Sequence, residues 1–391
     1  MRWTKLCAAL AAVAACSGGD SEEAPMVPLP IVMPQPETPP FAIAGLPAGN
    51  HAGYIIGFDP LDTARQVRVT ALLDEATATG NTLSRVQLDW AELEPSPGMF
   101  DRAPLDEALA AATEIGTRRF VLVSTLDTGV LTIPEDFLDD GALRPGLRLS
   151  DEEVAGRFEA FLDWLLPILT SENVWGLSIA NEGETLIEDG TVSSAEAETF
   201  VERGLRQIAD DAPELARGVT LTFTGPEAFS DYAEAVLSNS NLAIYNYYCL
   251  DETLVTTRRP VWESATAAMR QNSGDLPIML QELGCPVGYE DQPSDLQSAP
   301  SVQADFFDYF AEVIRDDQQF RAVYAFQLLD WSPELAASFV APVREEGEQL
   351  AADRLEEWLA TSGLCSWSED LCRPGWQSWL DLTEAAAVTQ Q

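Results

Sequence analysis

The chain has 391 residues, of which 64 are Asp or Glu against 22 Lys or Arg and one His, giving a formal charge of -42 at pH 7. Its apolar content of 46% is enough for a large core, so the acidity does not signal disorder. A body this negative repels phosphate backbones and acidic polysaccharides, the lone His51 excludes His-rich zinc sites, and with Lys5 the single lysine a GxxxxGK phosphate loop is impossible.

The first predicted element is a leader. Arg2 and Lys5 precede an apolar run over 6–15 that is too short to span a bilayer. Val13-Ala14-Ala15-Cys16 looks like a bacterial lipobox, which makes 1–15 a lipoprotein signal peptide and Cys16 a lipidated N-terminus. An ordinary signal peptide with a chance cysteine is the alternative. Ser17, in place of an Asp, points by analogy with lipoprotein sorting to the outer membrane. Residues 16–49 carry Pro25, Pro28, Pro30, Pro34, Pro36, Pro39, Pro40 and Pro47 and read as a semi-rigid tether.

Residues 50–391 read as a single domain. Apolar runs at 54–58, 83–89, 119–125, 174–180, 219–224, 242–248, 277–282 and 322–328 predict strands. Amphipathic helices are expected between them, for example at 104–115, 150–169, 194–211 and 301–316, with a last helix at 350–359. Strands and helices in this alternation predict an α/β protein of the (β/α)8 TIM-barrel class, whose active site gathers where the strands end. Those ends carry Asp89-Trp90, Asn181-Glu182, Tyr248, Glu282 and Trp331. Along 242–248, alternate residues share a face, which pairs Asn246 with Tyr248; Tyr247 takes that place if the register differs by one. Cys249 and Cys285 directly follow adjacent strands, and Cys365 lies close to Cys372, so an exported chain is expected to form two disulfides.

Several segments resemble clan A retaining glycoside hydrolases. Arg85, Asp89-Trp90, Glu94-Pro95, Gly98 and Phe100-Asp101 are similar to the stretch after strand two. Asn181-Glu182 resembles the strand-four signature, Gln281-Glu282 the strand-seven segment, and Trp331 the strand-eight end. The segment from Gly363-Leu364 to Trp376 looks like the closing segment of several of these enzymes. The resemblance implies Glu182 as acid/base, Glu282 as nucleophile, Asn181 on the sugar 2-hydroxyl, and Arg85 and Tyr248 beside the nucleophile. Asn246 stands where some members have a histidine. Trp331 is expected beneath the reacting sugar, with Trp90 and Phe58 as neighbours or as core. Asp89, Asp127 and Glu227 read as rim or helix-capping groups. The implied protein is a monomer that needs no metal or cofactor and cleaves a β-linked, neutral oligo- or polysaccharide. A catalytically silent glycan-binding lipoprotein is the alternative, and the near absence of histidine disfavours a metal-dependent barrel hydrolase.

Overall fold

The computed structural model describes residues 41–388 except 58, 115–116, 173, 252–253, 289–298, 346, 348 and 370. The leader, Cys16, most of the tether and Phe58 lie outside the described residues. Eight parallel strands close a barrel: β1 (His51–Ile55), β2 (Asn81–Asp89), β3 (Arg118–Ser124), β4 (Val174–Asn181), β5 (Ala216–Thr222), β6 (Ala243–Tyr248), β7 (Ile278–Gly284) and β8 (Phe320–Phe326). Neighbours pair in chain order, and the contact of β8 with β1 closes the ring. Every residue of β4, β7 and β8 is buried, as strands covered on both faces require.

The expected strands are all present with shifted ends. β1 begins at His51 rather than Tyr54, and β5 at Ala216 rather than Val219. His51 is polar, yet it is buried with its ring nitrogens bonded to the Thr82 hydroxyl and the Pro47 carbonyl, so an apolar pattern understates the strand. Helix Ser194–Asp211 begins as its sequence predicts. Ser193 and Glu196 form a reciprocal capping box, and Ala197, Phe200, Val201, Leu205 and Ile208 form the buried stripe.

Residues 41–49 do not all belong to the tether. Ile43 packs with Leu83, Phe120, Trp175, Ile244, Met279 and Tyr324 into a small core distinct from the main one, so the folded body starts before residue 50. At the other end, 349–359 is not the last helix. It pairs with Pro333–Glu345 as a hairpin inserted after β8, and Pro374–Val388 packs beside Pro300–Asp316 to complete the helical layer. The hairpin has its own core of Trp331, Ala336, Val340, Ala352, Leu355 and Leu359, which also takes in Leu250 and Leu254 from the segment after β6. Among the described residues no helix is long and apolar enough to cross a membrane.

Candidate active site

The ends of β2, β4, β6, β7 and β8 meet at a cleft of about 460 Å³. Glu282, the fifth residue of β7, is 7% exposed. Arg85 Nη1 donates to its Oε1 at 2.6 Å, and the Tyr248 hydroxyl donates to its Oε2. Tyr248 and Asn246 do share a face of β6; Tyr247 points the other way, into the core against Phe223, Phe306 and Phe310.

Glu182 directly follows β4 with φ at 50°, in the left-handed region that a non-glycine residue enters only at a cost. The Glu182 N–H donates to the Thr220 carbonyl at 2.8 Å, which holds that turn. Among the described residues its carboxyl receives neutral donors, Asn246 Nδ2 at 2.9 Å and the Thr128 hydroxyl at 3.3 Å. Burial, then the charges of Glu282 and Glu184, push the Glu182 carboxyl up to about 8, against the opposing Asn246 hydrogen bond. The two carboxyls therefore have different partners. Glu282 holds an arginine, whereas Glu182 is biased toward its protonated form.

Asn181 lines the cleft inside a network that fixes its amide. Its Nδ2 donates to Asp127 Oδ1 at 2.8 Å, and its Oδ1 accepts from Asn246 at 3.1 Å and Gln281 at 3.2 Å. Asp127 is thus no rim residue. A short antiparallel ladder of Leu126–Asp127 with Val130–Leu131 carries it inward, where Gln87, Ser124 and Asn181 bond to it and burial raises its pKa. Asp89 both closes a capping box with Glu92 and lines the cleft; burial, then the charges of Asp127 and Glu92, push it up to about 7. Glu227 stands apart, in the first turn of the Gly225–Ala228 helix.

Trp331 lines the cleft, and Asp330 beside it is pinned by Arg373 Nη1 at 2.8 Å and Nη2 at 2.7 Å. Trp90 does not reach the cleft. It is fully buried among Phe137, Phe158 and Phe161, and its indole N–H donates to Glu94 at 2.8 Å. Glu94, 1% exposed, also accepts from the Gly98 N–H at 2.6 Å and Arg157 Nε at 2.6 Å. The stretch from Trp90 to Gly98 is therefore a buried scaffold that shapes the segment after β2. Cys249–Cys285 and Cys365–Cys372 are both bonded, the first pair just beyond the ends of β6 and β7.

Sequence reasoning passed over two features. One is the wall made by the hairpin, where Leu335, Phe339, Leu355 and Trp358 face the cleft. The other is Glu184, a buried carboxyl behind Glu182. Neither lies at a strand end, the signal used to pick candidates. Among the described residues no group of three or more His, Cys, Asp or Glu side chains is arranged to hold a metal ion.

No protein-family model matches the chain, and no curated protein does. Solved structures do. The fold is similar to the exo-beta-1,4-mannosidase Op5Man5 of Opitutaceae bacterium strain TAV5, with a TM-score of 0.66 and 15% identity over 92% of this chain. The chain spans 63% of that mannosidase. It is also similar to the GH5_18 protein of Streptomyces cattleya in complex with GlcNAc, at a TM-score of 0.62 and 15% identity, over 86% of this chain and 80% of that one. Xylanase B of Clostridium stercorarium F9 gives a TM-score of 0.56 at 13% identity, over 85% of this chain and 97% of that one. At these identities the likeness is one of fold.

Proposed function

We propose that this chain is a retaining β-glycosidase acting on a neutral β-glycoside. The observation that carries the reading is the asymmetry of the carboxyl pair: Arg85 and Tyr248 hold Glu282, while Glu182 has neutral donors and a raised pKa. In the first step Glu282 attacks the anomeric carbon as Glu182 protonates the leaving oxygen, which breaks the glycosidic bond and leaves a glycosyl ester on Glu282. In the second, Glu182 takes a proton from water, the water oxygen bonds to the anomeric carbon, and Glu282 departs as carboxylate. Asn181, fixed by Asp127, Asn246 and Gln281, is placed to bind the sugar 2-hydroxyl, a contact that strengthens in the transition state. The -42 charge, which repels acidic glycans, supports a neutral substrate. The names of the mannosidase and xylanase of similar fold support the same class.

The test uses an activated aryl β-glycoside. Glu282→Ala should lose turnover by about 10³-fold or more and regain it with azide as the inverted α-glycosyl azide. Glu182→Ala should regain it as the retained β-azide. Unchanged turnover in both variants would sink the assignment. The leader and Cys16 belong to the same proposal, as a lipid tether for the enzyme at the outer membrane. Labelled fatty acid should enter the wild-type chain and not Cys16→Ala; equal labelling would refute the anchor.

A further inference from the structure

Behind the proposed acid/base lies a second buried carboxyl that the two displacement steps do not use. Glu184 is 2% exposed and opens the short helix Glu184–Glu188, separated from Glu182 by Gly183 alone. Its Oε1 accepts the backbone N–H of Thr222 at 2.5 Å, and Thr222 in turn lines the cleft. The contact depends on a glycine, because a Cβ at Gly225 would stand 2.5 Å from Glu184 Oε1. The other oxygen, Oε2, is buried with no hydrogen-bond partner among the described residues, and so is the hydroxyl of nearby Tyr232. A side cavity of about 50 Å³ lined by Glu184, Thr222 and Gly225 opens at this point, large enough for water.

We propose that Glu184 is a positioning residue for the acid/base: it ties the strained Glu182 turn to the end of β5 and places a second ionisable carboxyl behind the Glu182 carboxyl. The proposal rests on reading Glu182 as the acid/base.

A carboxyl with one bonded oxygen and one unpartnered oxygen is poorly compensated as an anion. Burial pushes Glu184 up to about 7, against opposing hydrogen bonds from its own backbone N–H and from Thr222. Once ionised, its negative charge helps hold the proton on Glu182. Other groups bear on the same two carboxyls. Glu282 on β7 and Asp127 on the ladder after β3 also hold the Glu182 proton, while Asn246 on β6 opposes them. The phenols Tyr232 and Tyr245 face Glu184 and stay neutral. Arg85 is spent on Glu282 and Gln87.

The test is Glu184→Gln, which keeps the acceptor for the Thr222 N–H and the shape of the side chain but removes the charge. The pH profile of kcat/KM should lose its alkaline limb earlier. Relative to its own value at pH 6, the variant should be about three- to tenfold below wild type at pH 9. A purely structural role would lower the melting temperature and leave the limb in place, and that result overturns the proposal. If Glu184→Gln does not fold, ¹³C-glutamate NMR of the wild-type chain decides: two carboxyl signals titrating above pH 6, coupled to each other, are expected, and a single one refutes it. Absence of hydrolysis by the wild type at every pH would instead defeat the glycosidase reading, leaving the NMR result to judge Glu184 alone.

Discussion

Arg85 Nη1 meets Glu282 Oε1 at 2.6 Å across the barrel mouth, with side chains 2% and 10% exposed. Arg85 Nη2 is also bonded, to Gln87, so its guanidinium links the carboxylate to β2. Breaking such a buried pair from one side leaves the other charge uncompensated. Arg85→Met should therefore lower stability by roughly 3–5 kcal/mol and kcat by about 10²–10³-fold. Combining it with Glu282→Leu should recover part of the lost stability, because both charges are then gone. Chemical denaturation of the two single variants and the double variant checks this, and strict additivity would contradict it.

The acid function proposed for Glu182 requires its proton, and burial with neighbouring carboxylates pushes that group up to about 8. Activity on a poorly activated glycoside should fall as pH rises through about 8, since ionised Glu182 cannot protonate the leaving oxygen. Stability has the same sign. An unfolded-chain glutamate loses its proton near pH ~4.3, whereas the folded protein retains it, so folding binds protons and weakens as pH rises between those values. Glu184 and Asp89, both pushed up to about 7, add in the same direction. Melting temperatures measured from pH 5 to 8 should decline steadily; a rise over that range would contradict the raised carboxyls.

The barrel was legible in the sequence because strands such as β4 and β8 are near-continuous apolar runs ended by a turn, the pattern imposed by burial on both faces. Glu182, Tyr248 and Glu282 were legible for a related reason: side chains at strand ends converge on one rim. Arg85, in the middle of β2, was legible only through the family resemblance. Trp90 was not, because a tryptophan at a strand end looks the same whether it faces the cleft or the helices. Its partner Glu94, buried and bonded also to Gly98 and Arg157, shows which way the ring turns. The insertion after β8 was half seen, since only its second helix was expected. Pro333 opens the first helix where a proline is tolerated, at a first turn, yet a proline there also reads as a loop.

Trp90 then gives a prediction about stability rather than binding. Removing a fully buried ring, as in Trp90→Ala, should cost about 3–5 kcal/mol, with a further loss because Glu94 loses a donor. Trp90→Phe should retain more of the packing against Phe158 and Phe161 but still lose the hydrogen bond. Thermal melts of both variants check the order, with Ala below Phe below wild type. A change confined to KM, with no loss of stability, would return Trp90 to the cleft.

The hairpin after β8 forms one wall of the cleft. Arg344 staples its two helices through Asp353 and Glu356, so the wall they form is fixed. On that wall Leu335, Phe339 and Leu355 present carbon, and the indole nitrogen of Trp358 is buried. Hydroxyls of a sugar pressed there would lose water without regaining partners from these four side chains, whereas an alkyl group would lose nothing. Among alkyl β-glycosides of one sugar, kcat/KM should rise with chain length, by at most about fourfold per buried methylene. Leu335→Ser and Phe339→Ser should each flatten that rise. Rates of methyl, butyl and octyl glycosides with the three proteins provide the check. A series with no dependence on chain length in the wild type would show that the wall does not meet the substrate.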